Sequence, residues 1–113
     1  MLTIKRNGME QKTVMVESFD QLIQSSTPVL VDFYADWCGP CKAMTPVLKE
    51  VAQAVSGKAR VIKVNVDQND HVASSYNVNA IPTFIIFKNG KQVWRHSGMI
   101  DKLNLVRIIE ANS

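Results

Sequence analysis

Eight consecutive residues, Pro28-Val-Leu-Val-Asp-Phe-Tyr-Ala35, constrain this chain more than any other stretch. The run is apolar at nearly every position and does not alternate. A strand made from it has no face left for water, so it belongs in the middle of a sheet that is covered on both sides. Such a sheet needs helices on each face, and the flanking sequence supplies them. Upstream, Ser18 opens a helix with Gln21 in a capping-box pattern, and Phe19, Leu22 and Ile23 form its apolar side. Downstream, the spacing turns helical from Pro40: Met44, Val47, Leu48, Val51 and Val55 recur at three- and four-residue steps, and Gly57 closes the helix. Pro46 lies inside it and should kink it, because its ring removes a backbone donor.

The alternation continues along the chain. Ala59 to Val66 reads as a strand, with Val61, Lys63 and Asn65 on one face and Ile62, Val64 and Val66 on the other. Asp67 to Tyr76 is a short polar helix with Val72 and Tyr76 inward, and Thr83 to Phe87 is a further strand. Asn89-Gly90 predicts a hairpin into Gln92–His96. Gly98 breaks that strand, Asp101 caps a last helix, and Leu105, Ile108 and Ile109 are its buried stripe. Thr13 to Val16 reads as a short first strand. Residues 1–12 are polar apart from Leu2, Ile4 and Met9, and form a loose arm or an extra edge strand ahead of a domain spanning 13–113. The order β-α-β-α-β-α-β-β-α predicts an α/β fold, with a mixed five-stranded sheet flanked by four helices.

A chain of 113 residues with 46% hydrophobic composition can build one core without covalent staples. Its two cysteines, Cys38 and Cys41, therefore need another explanation, since a bridge across so few residues closes almost no loop entropy. The net charge of +3, from 13 basic and 10 acidic residues, is dispersed, with no basic block carrying interleaved aromatics; nucleic-acid binding is not supported. The longest apolar run is far short of a membrane span. No apolar segment with a small-residue cleavage site follows Met1, so a cytoplasmic, reducing compartment is expected; a monomer is expected as well.

The cysteines fall at a strand-to-helix junction, on the carboxyl end of the central strand, where open α/β sheets hold their sites. Pro40 favours the first helical turn, which puts Cys38 near the N-cap and Cys41 one turn further on the same face. That separation is close to what a disulfide tolerates. Free amides and the positive helix end stabilise a thiolate at Cys38. Cys38 is therefore the expected nucleophile, exposed at the junction, and Cys41 the inward resolving thiol. Gly39 lets a substrate backbone approach and Pro40 stiffens the turn. Neither adds positive charge, so the pair favours a reductant over an oxidase or isomerase. A closed zinc site would need two further ligands, and only His71 and His96 exist, in unrelated segments. No metal is expected.

Asp32 sits mid-strand, six residues before Cys38. Burial would raise its pKa and fit it to take the proton from Cys41 as that thiol attacks a mixed disulfide. Lys63 shares a face with Val61 and Asn65; it either tunes Asp32 or snorkels to solvent, and spacing does not choose. Ile81-Pro82 is either trans, as most such bonds are, or cis, which would turn the Ile81 backbone outward toward an extended substrate strand. Trp37, beside the thiols, reads as a partly exposed contact surface. Trp94 and His96 read as surface or packing residues on the last strand.

Taken together these motifs resemble the thioredoxin family, from about Thr13 to Asn112: Val-Leu-Val-Asp-Phe-Tyr-Ala-Asp-Trp-Cys-Gly-Pro-Cys-Lys, Pro46, Lys-Val-Asn-Val-Asp-Gln-Asn, Ile-Pro-Thr, Phe-Lys-Asn-Gly and Gly98. The resemblance implies the thioredoxin fold, Cys38 as nucleophile, Cys41 as resolving cysteine, Asp32 as buried proton acceptor and Lys63 as its neighbour. It implies a cis Ile81-Pro82 bond and a substrate groove lined by Trp37, Gly39, Pro40, Ile81, Pro82 and Gly98. It further implies a protein-disulfide reductase with no bound cofactor, recharged by an NADPH-dependent thioredoxin reductase and serving disulfide-containing client proteins. Tyr34 stands where tryptophan is frequent, Ala80 where glycine is frequent, and Met99 where a smaller residue is usual; the pI of about 9.0 is high for the family. These departures bear on the choice of clients and not on the reaction. The alternative function is a scaffold or binding subunit that uses the same fold without turnover.

Overall fold

The computed structural model describes residues 2–4 and 19–113. Five strands form one mixed sheet: β1 (Leu2–Ile4), β2 (Val29–Tyr34), β3 (Arg60–Asn65), β4 (Thr83–Lys88) and β5 (Lys91–Ser97), in the order β1-β3-β2-β4-β5. β1 and β2 each run parallel to β3, whereas β4 is antiparallel to both β2 and β5. The uninterrupted apolar run accordingly forms the middle strand, and every residue of β2 is buried. The edge position beside β3 is taken by Leu2–Ile4. The strand expected at 13–16 and the cap expected at Ser18 lie outside the described residues.

Three helices are described in full: α1 (Gly39–Ala54), α2 (Asp70–Ser75) and α3 (Lys102–Ala111), while residues 19–22 are also helical. Strand alternation sorts β2 between two cores. Val29, Val31 and Phe33 join Ile62, Val64, Ile85 and Phe87 beneath Phe19, Ile23 and the α2 residues Val72 and Ala73. Leu30 faces the other way, with Val61, Phe84 and Ile86, under Met44, Leu48 and Val51 of α1 and Leu105 and Ile109 of α3. The helix spacing read from Pro40 is thus the stripe that α1 buries. This helix runs through Pro46 and ends at Ala54, with Gly57 in the following turn at φ +81°. Asp101 caps α3 by accepting from the Asn104 amide at 3.0 Å.

The β4–β5 turn follows from its sequence. Asn89 and Gly90 both have positive φ, 53° and 78°, the conformation that a two-residue hairpin with right-handed strand twist demands. A Cβ at Gly90 would also run into the Gln24 side chain. The hairpin tip is tied to the chain entering β2, with the Asn89 amide donating to Ser25 O at 2.7 Å and the Gly90 amide to Ile23 O at 2.9 Å. Among the described residues no helix is long and apolar enough to cross a membrane.

Candidate active site

The β2-to-α1 connection is short. The Cys38 amide donates back to Ala35 O at 3.2 Å, and Cys38 then takes the N-cap position in extended conformation. A helix start leaves amides without intrahelical acceptors, and an oxygen-bearing side chain usually accepts from one of them. Here sulfur has that role: Cys38 Sγ accepts from the Cys41 amide at 3.1 Å. Gly39 and Pro40 fill the first turn; Pro40 has no amide to satisfy, so the position costs the helix nothing.

Cys38 and Cys41 are joined as a disulfide with a Cα–Cα distance of 5.2 Å. Both are buried, with 5% and 4% of their surfaces exposed. The expected exposure of Cys38 is therefore corrected in this disulfide state. Its side chain packs with Tyr34, Ala35 and Cys41, and half-buried Ile81 closes against the group. What is exposed lies beside it: Trp37, Gly39 and Pro40, with Trp37 at 71%.

Asp32 follows Leu30 and precedes Tyr34 on the face of β2 that α1 covers. Its carboxyl is fully buried, and neither oxygen has a hydrogen-bond partner. Burial raises its pKa from 3.8 to about 7, against an opposing pull from the Lys63 charge. Asp32 and Lys63 are Cα partners across β2 and β3. Lys63 does not simply extend to solvent: its Nζ lies over the Tyr34 ring, 4.3 Å from the centroid. The structure thus brings Asp32, Lys63 and the dithiol to one end of the sheet.

Ile81-Pro82 is cis, so the resemblance, and not the general frequency of the bond, read this position correctly. The segment is held by its neighbours. The Gly98 amide donates to Pro82 O at 2.8 Å, and the Thr83 hydroxyl donates to Ala80 O at 2.6 Å. Gly98 adopts φ +100°, a left-handed value that glycine takes without strain. Trp94 and His96 lie apart from the dithiol. Their rings stack with centroids 6.0 Å apart, Trp94 packs against the core that α1 and α3 cover, and His96 Nε2 lies 3.2 Å from Met99 O. Among the described residues no group of three His, Cys, Asp or Glu side chains gathers as a metal set.

Two residues beside the site carried no role in the sequence reading. Trp37 Nε1 donates to Asp67 Oδ2 at 2.8 Å, which anchors the exposed indole. Asp67 is itself placed by buried Asn65, whose Oδ1 accepts from the amides of Asp67 at 2.9 Å and Gln68 at 3.2 Å. The available signal was Asn65-Val-Asp-Gln-Asn69, a cluster of turn formers directly after a strand.

A thioredoxin family profile matches residues 10–111 of this chain. The chain belongs to the thioredoxin family. It is similar to thioredoxin 1 from Nostoc sp., at 47% identity over 90 residues, 80% of this chain and 84% of that protein. It is also similar to the chloroplastic thioredoxin Y of Oryza sativa subsp. japonica, at 43% identity over 104 residues; the match takes in 91% of this chain but spans only 62% of the rice protein's length. Among solved structures, a mutant thioredoxin from Halobacterium salinarum superimposes with a TM-score of 0.80 and 35% identity, covering 98% of this chain and 88% of the other. The fold is the thioredoxin fold, and the Cys38–Cys41 pair makes the protein a thiol–disulfide oxidoreductase, in a family that works without a bound cofactor.

Proposed function

We propose that this thioredoxin-family protein works in the reducing direction, donating two electrons to disulfides in client proteins. The observation that carries the exchange chemistry is the Cys41 amide aimed at Cys38 Sγ on the N-cap of α1. A donor so placed favours the ionised sulfur, as does the positive end of the helix dipole. The reducing direction rests on Gly39 and Pro40, which add no positive charge to stabilise that thiolate further. Cys38 thiolate attacks a client disulfide, forms a mixed disulfide and expels one client thiolate. Cys41 gives its proton to Asp32 and attacks the Cys38 sulfur. The Cys38–Cys41 bond forms and the second client sulfur leaves. A carboxyl raised to about 7 matches a proton transfer near neutral pH far better than an ordinary carboxylate would.

Lys63 modulates Asp32 electrostatically. Trp37, Ile81, Pro82 and Gly98 line the client groove, with the Ile81 backbone offered to an extended strand, while Gly39 and Pro40 keep the dithiol reducing. An NADPH-dependent thioredoxin reductase returns the electrons. A cytoplasmic location suits such a cycle, because a dithiol reductant turns over only where its electrons are renewed. The catalytic domain comprises residues 13–113, with Leu2–Ile4 contributing an added edge strand.

Insulin reduction driven by dithiothreitol tests the reading. The wild-type protein should accelerate precipitation of the insulin B chain well beyond dithiothreitol alone, and Cys38→Ser should remove the gain entirely. A Cys38→Ser protein as active as wild type would overturn it. Cys41→Ser should stall at the mixed disulfide and leave clients covalently attached to Cys38.

A further inference from the structure

Asp32 and Lys63 leave neighbouring strands in register and on the same face of the sheet. An ammonium and a carboxylate placed this way ordinarily draw together, and the carboxylate is then held ionised. Here they do not pair. Both Asp32 oxygens are without a partner, and the lysine ion pairs among the described residues are Lys58–Glu110 and Lys102–Glu50, on the outer surfaces of the helices. The Lys63 ammonium is instead over the Tyr34 ring, at 4.3 Å.

That ring is a fixed platform. Tyr34 is buried against Ala35 and both cysteines, at the end of β2 where its register partner on β3 is the buried Asn65. The ammonium is not confined by tight packing. Lys63 lines a cavity of about 100 Å³ together with Tyr34, Asp36, Cys41 and Thr45, so its head has room to move. Attraction to the aromatic face is what selects its position.

We propose that Tyr34 is a positioning residue for thiol–disulfide exchange: its ring seats the Lys63 ammonium and so withholds that cation from the Asp32 carboxyl. The inference rests on Asp32 being the proton acceptor for Cys41. A carboxylate paired with Lys63 would remain ionised at neutral pH and be a poor base for a thiol. Freed of that pair, it can take up and release a proton in the working range. The charged or titratable groups facing this region are Lys63 from β3, Cys41 and Lys42 from α1, Tyr34 from the end of β2 and Asp36 from the connection that follows it. From β4 the register partner is apolar Phe84.

The test is the titration of the Asp32 carboxyl by carbon NMR in the oxidised, full-length chain. Tyr34→Leu removes the seat and should lower the Asp32 midpoint by about one pH unit, the effect of an opposite charge moving into contact. Tyr34→Phe keeps the ring and should shift it by less than about half of that. In a Lys63→Gln background, Tyr34→Leu should leave the midpoint where it was. An unchanged or higher midpoint in Tyr34→Leu overturns the proposal. So does an equal fall in the Lys63→Gln background, which would trace the effect to water entering the vacated space.

Should Tyr34→Leu fail to fold, the unsubstituted protein still decides. The Lys63 ε-methylene protons must resonate upfield under the ring current, and ordinary shifts overturn the seat. The two readings fail separately. Asp32→Asn resolving mixed disulfides at the wild-type rate would remove the acceptor role while the Lys63 shifts stand. Ordinary Lys63 shifts together with a slow Asp32→Asn would remove the seat alone.

Discussion

The two faces of β2 are built from the same six residues and do different work. Val29, Val31 and Phe33 enter a core closed by aromatic edges, with Phe19–Phe87 centroids at 5.8 Å and Tyr76–Phe87 at 5.0 Å. Its buried side chains are all apolar. On the opposite face Leu30 is followed by Asp32, a fully buried carboxyl without a hydrogen-bond partner, and then by Tyr34 beneath Lys63. The first face holds the fold; the second holds a destabilised group at the end of the sheet that carries the dithiol. A central strand can carry both because adjacent side chains never share a face.

Substitutions on the two faces should therefore have opposite signs. The largest effect is expected on the apolar face: Phe33→Ala should lose about 3–5 kcal/mol in denaturant unfolding, the usual result of emptying a packed aromatic site. A loss under about 1 kcal/mol would show that this core collapses into the space and is no firmer than the other face.

Asp32→Asn should instead stabilise, and only where the carboxyl would be charged. Asp32 has a folded pKa of about 7 against 3.8 for the free group, so the folded protein retains a proton that the unfolded chain has released. Stability of the wild type then falls as pH rises from about 4 to about 7 and levels above it. The difference corresponds to roughly 4 kcal/mol. Unfolding midpoints of the two proteins compared at pH 4 and pH 8 should diverge by an amount of that order. Parallel curves would mean that Asp32 titrates normally and that the second face stores nothing.

The smallest effect sharpens the boundary between the site and its support. Asn65→Ala removes the acceptor of the Asp67 and Gln68 amides and should cost about 1–3 kcal/mol. Because Asp67 orients Trp37, the indole fluorescence should change with it. An unaltered Trp37 signal would show that the turn holds its shape without Asn65.

Much of this organisation was legible in the sequence. The apolar run at Val29–Tyr34, the stripe of α1, the Asn89-Gly90 hairpin and the Asp101 cap are all local patterns, and each sits where it was expected. Asp32 could be read as buried because its neighbours on both sides are apolar. Other features were not legible. Spacing left Lys63 between two fates and the ring contact was neither of them, because Tyr34 meets it only through strand register. Cys38 was expected to be exposed, since a helix start usually is; Ile81, arriving from a distant segment, helps to bury it. The cis state of Ile81-Pro82 came from family resemblance, as no local pattern distinguishes it.

By itself, then, the order of residues determined the elements, the middle strand, the dithiol at a helix start and the carboxyl behind it. All of these depend on neighbours within a few positions. Only the tertiary structure decided which side chains meet: the Trp37 indole with Asp67, the Lys63 ammonium with Tyr34, Ile81 with the cysteines. Those contacts join segments that the sheet alone brings within reach. Their energies depend on distance and burial, which no spacing along the chain records.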